Sequence, residues 1–375
     1  MKCWLWAGVL LAGLSIGVYR LHALTDVFRA TEFFGPVKCV KMPASRAPED
    51  VSFIPNSRVA LMSGDDLQDL WLSPAKGLAK PSNGLITAVR LPLDMASFPT
   101  IYPVTLKDFP ETVAFHPHGL YIQGEELYVV NHAFKKDGGR IEVFRIEGTD
   151  SLVTLTYKRS MLLPGYLQGI VSDLVFLSPT DFIITAFQEQ LSAKEDSQVV
   201  AYLKAFLGLK QTSAYRCTAT SGKVTCSVAT KGALFNGITK RKDELFIADS
   251  LGKSIGRYRV TPDSVELVAS YSLDYVPINI EYDPENDLIY ISALSRAYDF
   301  LTYIDQVRTG KATDSDAIAS GCTELNPNTG FIRPIVMQKR QSAISSCARK
   351  GMFIAMGSLF DPHVLICPLE DPKSS

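Results

Sequence analysis

One pattern recurs six times in this chain and limits what it can fold into. A small or polar pair is followed by an aliphatic residue, then a turn, then a short apolar run that ends in small residues. The copies are Glu49-Asp50-Val51 before Val59–Met62, Pro117-His118-Gly119-Leu120 before Leu127–Val130, and Ser172-Asp173-Leu174 before Phe182–Ile184. Phe235-Asn236-Gly237-Ile238 then precedes Leu245–Ala248, Ile278-Asn279-Ile280 precedes Leu288–Ile291, and Ser342-Ala343-Ile344 precedes Met352–Ala355. The intervals are on the order of 40 to 70 residues, the length of a propeller blade with insertions. From about residue 40 onward, β-branched and aromatic runs broken by Gly, Pro, Asn and Asp surround these copies, as expected of strands and turns. The expected fold is all-β, a six-bladed β-propeller.

A propeller brings the starts of its innermost strands to one end of a shared channel. That end collects Glu49, Asp50, His118, Ser172, Asp173, Asn236 and Asn279. Carboxylate, amide and hydroxyl oxygens in such number are hard-cation ligands and suit calcium better than magnesium, so a central calcium-binding tunnel is expected. Read singly, each of these residues is also an ordinary turn or strand cap. One helical stretch is expected outside the pattern, from about 198 to 209, with Val199, Tyr202, Leu203, Phe206 and Leu209 along one face.

The chain opens with Lys2 and an uninterrupted apolar run from Cys3 to Tyr19, closed by Arg20 and His22. At this length it reads as a short membrane-spanning signal anchor over residues 1–23, followed by the propeller over 24–375. A cleaved secretory signal is the alternative, but Leu21-His22-Ala23 lacks the small-x-small pattern of a cleavage site. With 38 Lys plus Arg against 39 Asp plus Glu, and no basic block, nucleic acid is not an expected partner.

Cys217 and Cys226 lie symmetrically about Ser221-Gly222, a two-residue hairpin turn. Counting outward places them opposite each other in a non-hydrogen-bonded pair, where Cα atoms come within about 4.5 Å, near disulfide geometry. Free buried thiols are the alternative. A disulfide there puts the body of the protein in an oxidising compartment, the endoplasmic reticulum lumen or the cell exterior. The sequence has no Asn-x-Ser/Thr acceptor for glycosylation.

From about Arg20 to its end, the chain resembles the serum paraoxonase/arylesterase family. The likeness is carried collinearly by Pro48-Glu49-Asp50, Pro117-His118-Gly119-Leu120, Val129-Val130-Asn131-His132, Leu162-Leu163-Pro164, Phe206-Leu207-Gly208-Leu209, Phe235-Asn236-Gly237-Ile238, Asn279-Ile280 with Asp283-Pro284-Glu285, and Leu365-Ile366-Cys367-Pro368-Leu369. The resemblance implies a six-bladed propeller with one structural and one catalytic calcium, an uncleaved N-terminal segment, and hydrolysis of lactones and aryl esters. It also implies a disulfide from Cys39 to Cys367. That pairing would leave Cys322 and Cys347 as possible partners within the last blade, and Cys3 unpaired in the anchor. The structural ion would take Asp50, Asp173 and the Leu120 carbonyl. The catalytic ion, held in the family by a Glu, an Asp and three Asn, would find Glu49, Ile278, Ser172, Asn236 and Asn279, so one carboxylate is lost at Ile278. His118, helped by His132, would draw the proton from the attacking water.

Two functions follow as expectations. The first is a membrane-tethered calcium-binding propeller that acts as a binding or chaperone-like protein for membrane proteins such as ion channels, a role some membrane-bound paraoxonase-like proteins are associated with. The second is a calcium-dependent arylesterase or lactonase with an altered metal site.

Overall fold

The computed structural model describes residues 15, 17–23, 25–36, 38–66, 83–94, 97–132, 139–148, 152–188, 204, 207, 209–313 and 316–369. Its strands form six antiparallel four-stranded units, in which each strand pairs with the next in sequence. Their first strands are Ala47–Phe53, Pro117–Gln123, Val171–Phe176, Phe235–Arg241, Val276–Asp283 and Ile344–Lys350. Five copies of the sequence repeat fall on one of these strands and the strand that follows it; in the sixth, Ser342 and Ala343 precede the strand that begins at Ile344, and Ser345 and Ser346 hold the bulge instead. We number the units one to six in this order. Units two and three are joined into one nine-stranded sheet through a parallel pairing of Leu162 with Lys223.

The sixth unit takes its outermost strand from the other end of the chain. Val40–Pro43 pairs antiparallel with His363–Pro368, with Val40 opposite Ile366. Apolar clusters fill the space between neighbours at every junction. The junction of units six and one holds Val51, Ala60, Met62 and Val89 against Ala348, Ala355, Val364 and Ile366. Each sheet thus buries one face on each neighbour, as stacked repeats must because no single unit can cover its own apolar faces. The protein is all-β and propeller-like, with the first strands touching in cyclic order.

All six first strands carry an irregularity at the same place. The register against the second strand shifts between Pro48 and Asp50, Pro117 and Leu120, Val171 and Leu174, Phe235 and Ile238, Pro277 and Ile280, and Ile344 and Ser346. A β-bulge re-aims side chains and bends the strand, and bulges concentrate near functional sites. At the second bulge position the residues run Asp50, Gly119, Asp173, Gly237, Asn279 and Ser346. The glycines are required by close approach. A Cβ on Gly119 would meet the Ser172 carbonyl oxygen at 2.5 Å and Asp173 Cα at 2.6 Å, both backbone atoms that cannot rotate away. Gly119→Ala should therefore cost about 1–3 kcal/mol of stability. Gly165→Ala, which meets nothing within 4 Å, should change the thermal midpoint little; equal midpoints for the two variants would show that the seam yields freely.

Three disulfides are present. Cys217–Cys226 closes the expected hairpin, whose Ser221 and Gly222 both take the positive φ of a tight turn, 51° and 80°. Cys39–Cys367 joins the first strand to the last. Cys322–Cys347 differs from its expected place within the last blade. Cys322 lies in the third strand of unit five, so the bond spans the junction of units five and six. Positions 322 and 347 face each other only because the two sheets stack, which spacing along the chain does not reveal.

The helix expected at 198–209 lies outside the described residues except for Lys204, Leu207 and Leu209. A helix not expected from the sequence runs Ala297–Arg308, with Phe300 and Tyr303 packed against Phe360. Among the described residues, no helix is long and apolar enough to cross a membrane. Most of the expected anchor, residues 1–14 with 16, lies outside them.

Candidate functional site

The bulges gather the sequence-selected residues where the six first strands begin. Glu49, Asp50, His118, Ser172, Asp173 and Asn279 are all buried, and Asn236 is half-buried. They bond mainly across junctions. Asp50 accepts the Leu120 N–H of unit two at 2.7 Å, and Asp173 accepts the Ile238 N–H of unit four at 2.8 Å. Ser172 Oγ donates to Asn236 Oδ1 at 2.6 Å. Asn279 reaches past unit six to unit one, donating from Nδ2 to Glu49 Oε1 at 2.8 Å. Ser345 Oγ donates to the Glu49 carbonyl at 2.6 Å, closing the last junction.

The two expected catalytic histidines are together. His118 Nδ1 lies 2.7 Å from Glu49 Oε2, and the His118 and His132 rings are 4.6 Å apart, edge to face. His132 Nε2 lies 2.6 Å from the Val171 carbonyl, which fixes that nitrogen as the protonated one. Burial dominates the electrostatics. It pushes Glu49 up to about 8, with the Asn279 hydrogen bond opposing, and pushes His118 down to about 4, with Asp65 opposing. His132 is held well below its ordinary value by burial and then by His118. Buried together, Glu49 and His118 therefore favour a neutral pair over an ion pair. Asp50 is raised by burial and then by Glu49, and Asp173 by burial and then by Asp50.

Ile278, where the resemblance leads one to expect a carboxylate, is buried in an apolar cluster. Its side chain packs with Val276, Leu294, Ala297, Ile318, Ala343 and Leu359 beside the helix Ala297–Arg308. Four further residues complete the surroundings and were not singled out from the sequence. His116 Nδ1 lies 3.0 Å from Asp65 Oδ2, with both side chains buried. Ser52 Oγ donates to Glu281 Oε1 at 3.0 Å across units one and five. Period-two alternation would have flagged these positions, since His116 and Glu281 each stand two residues from a selected residue on the same strand run.

Calcium can be tested against this donor set. Glu49, Asp50 and Asp173 are buried carboxylates, all raised by burial and the two aspartates further by their acidic neighbours, with no Lys or Arg ion pair among the described residues, a charge balance that a divalent cation would complete. No three His, Cys, Asp or Glu side chains among the described residues converge as a metal-binding group. A calcium ion here would therefore take at most two carboxylates, completed by amide, hydroxyl, backbone and water oxygens, which lies within calcium's range.

Together the fold and site define an all-β, propeller-like protein with a buried acidic and histidine-bearing cluster where its first strands begin. No family model matches the sequence. No curated protein matches it either. Among solved structures it is similar to a luciferin-regenerating enzyme, at 10% identity and TM-score 0.44 over 88% of this chain and 95% of that one. It is also similar to a functionally unknown protein from Desulfotomaculum acetoxidans, at 10% identity and TM-score 0.44 over 86% and 82%. A candidate 6-phosphogluconolactonase from Bacteroides fragilis aligns at 11% identity and TM-score 0.43 over 83% and 77%. The fold stands on its own strand pairing and junctions, without these neighbours.

Proposed function

We propose that this chain is a six-bladed β-propeller of the paraoxonase type, tethered to a secretory-pathway membrane by residues 1–23. It holds calcium in its channel and acts as a binding or chaperone-like protein for membrane proteins, ion channels among them, with its body in the lumen or outside the cell. The observation that carries this reading is Ile278, which is committed to an apolar cluster. With no carboxylate at position 278, Glu49 is the one carboxylate of the outer cation position, and the Ser172 hydroxyl is turned to Asn236 Oδ1. Asp50 and Asp173 remain for an inner ion, which would neutralise buried charge and brace the junctions.

The hydrolase reading keeps one specific support, the Glu49–His118–His132 array. In it, His118 would take a proton from water while a calcium ion, when bound, supplies oxyanion stabilisation. The two readings part in one assay series on the full chain. With calcium present, lactones and aryl esters should turn over no faster in the parent than in His118→Ala. Chelator-sensitive turnover that His118→Ala and Glu49→Gln abolish would establish the hydrolase instead.

Calcium itself is tested by pH. Folded Glu49 keeps to about pH 8 a proton that the unfolded chain releases near 4.5, so its contribution to stability is lost as pH rises through that interval. His118 works oppositely, its contribution being present above 6.5 and lost toward 4. Between pH 6.5 and 8 only the carboxylates act. The thermal midpoint in chelator should fall across that window and should hold steady in millimolar calcium. Identical profiles with and without calcium would remove the ion from the proposal.

A further inference from the structure

The outermost strands of the six units differ in how their free edges are guarded. An unpaired edge invites pairing with another chain, and proteins blunt it with Lys or Pro, with a short strand, or with a covering element. Unit one ends in Thr100–Pro103 and unit six in Val40–Pro43, each four residues long and closed by a proline. In unit two, Thr154–Leu162 is covered by Thr105–Lys107 at one end and by Lys223 at the other, with Lys158 and Arg159 between. Unit three ends in Lys223–Gly232, which carries lysines at 223 and 231. Unit five ends in Ile332–Gln338, with Arg333 and Pro334 and a bridge from Met337 to Phe34. Unit four is the exception. Its outermost strand, Val265–Ser272, has eight residues, no Lys, Arg or Pro, Glu266 as its one charge, and no strand beyond it among the described residues. The bulge at Val268 does not set it apart, since the outermost strands of units two, three and five are bulged too. Leu267 and Val268 stand 58% and 46% exposed on this edge, where a guarded strand would carry a lysine or a proline.

We propose that this edge pairs with the same edge of a second copy, strand against strand about a twofold axis, and joins two four-stranded units into one eight-stranded sheet. The edge complements itself. Laid antiparallel end to end, it sets Val265 against Ser272, Glu266 against Tyr271, Leu267 against Ser270 and Val268 against Ala269. Each copy's one carboxylate then meets an uncharged tyrosine and not its twin, which would be destabilising, and each aliphatic side chain meets a small one. The faces agree as well. Leu267 and Ser270 stand opposite Tyr258 and Gly256, two residues apart on the neighbouring strand and so on one face of the sheet. Glu266 and Tyr271 stand opposite Arg259 and Ile255, on the other face. A twofold axis through the sheet keeps like face with like, as this register requires. An unrelated strand would gain the backbone bonds without this match.

The full chain in detergent micelles should be weighed by sedimentation equilibrium from about 1 to 100 µM, the range suited to so small a contact. The parent should pass from monomer to dimer across it. Val268→Lys, which sets a guarding charge at an exposed position, should weaken association by about tenfold or more and leave the thermal midpoint unchanged. Cross-linking tests the register separately. In a Cys3→Ser background, an equimolar mixture of Leu267→Cys and Ser270→Cys chains should form an oxidised dimer, because opposite residues lie about 4.5–5.5 Å apart at Cα. Neither chain alone should do so. A parent that stays monomeric up to about 100 µM overturns the proposal and leaves the edge to a strand of another protein. A dimer that Val268→Lys does not weaken, or one that the mixture fails to cross-link, lies on another surface and overturns it too. If Val268→Lys fails to fold, the cross-linking mixture decides alone.

Discussion

Removing the Cys39–Cys367 bond, as Cys39→Ser with Cys367→Ser, should destabilise the protein by about 5 kcal/mol, against about 3 kcal/mol for Cys217→Ser with Cys226→Ser. The difference comes from the chain each bond closes. The first spans 328 residues and the second 9. The entropy withheld from the unfolded chain grows with the logarithm of that span. The longer bond also anchors Val40–Pro43, which gives unit six its outer strand and closes the ring. A native protein holds a net stability of about 5–15 kcal/mol, so losing this bond removes a large share of it. Guanidinium unfolding of the oxidised variants measures both losses. Equal midpoints for the parent and the Cys39–Cys367 variant would mean that strand pairing alone holds the ring shut.

Ile278→Asp should cost about 3–5 kcal/mol, and calcium should not recover the loss. The new carboxylate would sit among Val276, Leu294, Ile318 and Leu359 without a cation or donor. Ile278→Val, which keeps the packing and removes one methylene, should cost about 1 kcal/mol. Thermal unfolding in chelator and in calcium separates two meanings of the position. If calcium restores the midpoint of Ile278→Asp and ester turnover rises with it, position 278 still faces an ion, and the channel is a working metal site lacking one ligand. If the midpoint stays low in calcium, the cluster beside the helix Ala297–Arg308 has taken this residue out of the site.

The local features were legible because their causes are local. The Ser221-Gly222 turn needs positive φ at both central residues, which fixed the register and set Cys217 opposite Cys226. The repeat marked the first and second strands of five units, because a polar pair at a bulge followed by a turn and an apolar run is written within about 20 residues; in the sixth it fell three residues early, on Ser342-Ala343 ahead of Ser345-Ser346. The helix Ala297–Arg308 was missed although Phe300, Tyr303 and Val307 keep helical spacing, since a single short run inside a β-rich chain reads as a connection.

The all-β class, the number of repeated units and the polar residues that start five of the six inner strands were readable along the chain. Each depends on side-chain alternation and turn chemistry between near neighbours in the chain. Sheet packing, by contrast, paired Cys322 across units five and six, brought Asn279 to Glu49 past an intervening unit, and made Gly119 intolerant of a Cβ because Asp173 lies against it. Packing alone placed Ile278 in an apolar cluster and tied Asp26 to Lys253 of unit four. Those outcomes rest on the stacking of whole sheets around a ring, which joins residues up to about 300 positions apart and is set by the packing of every junction at once.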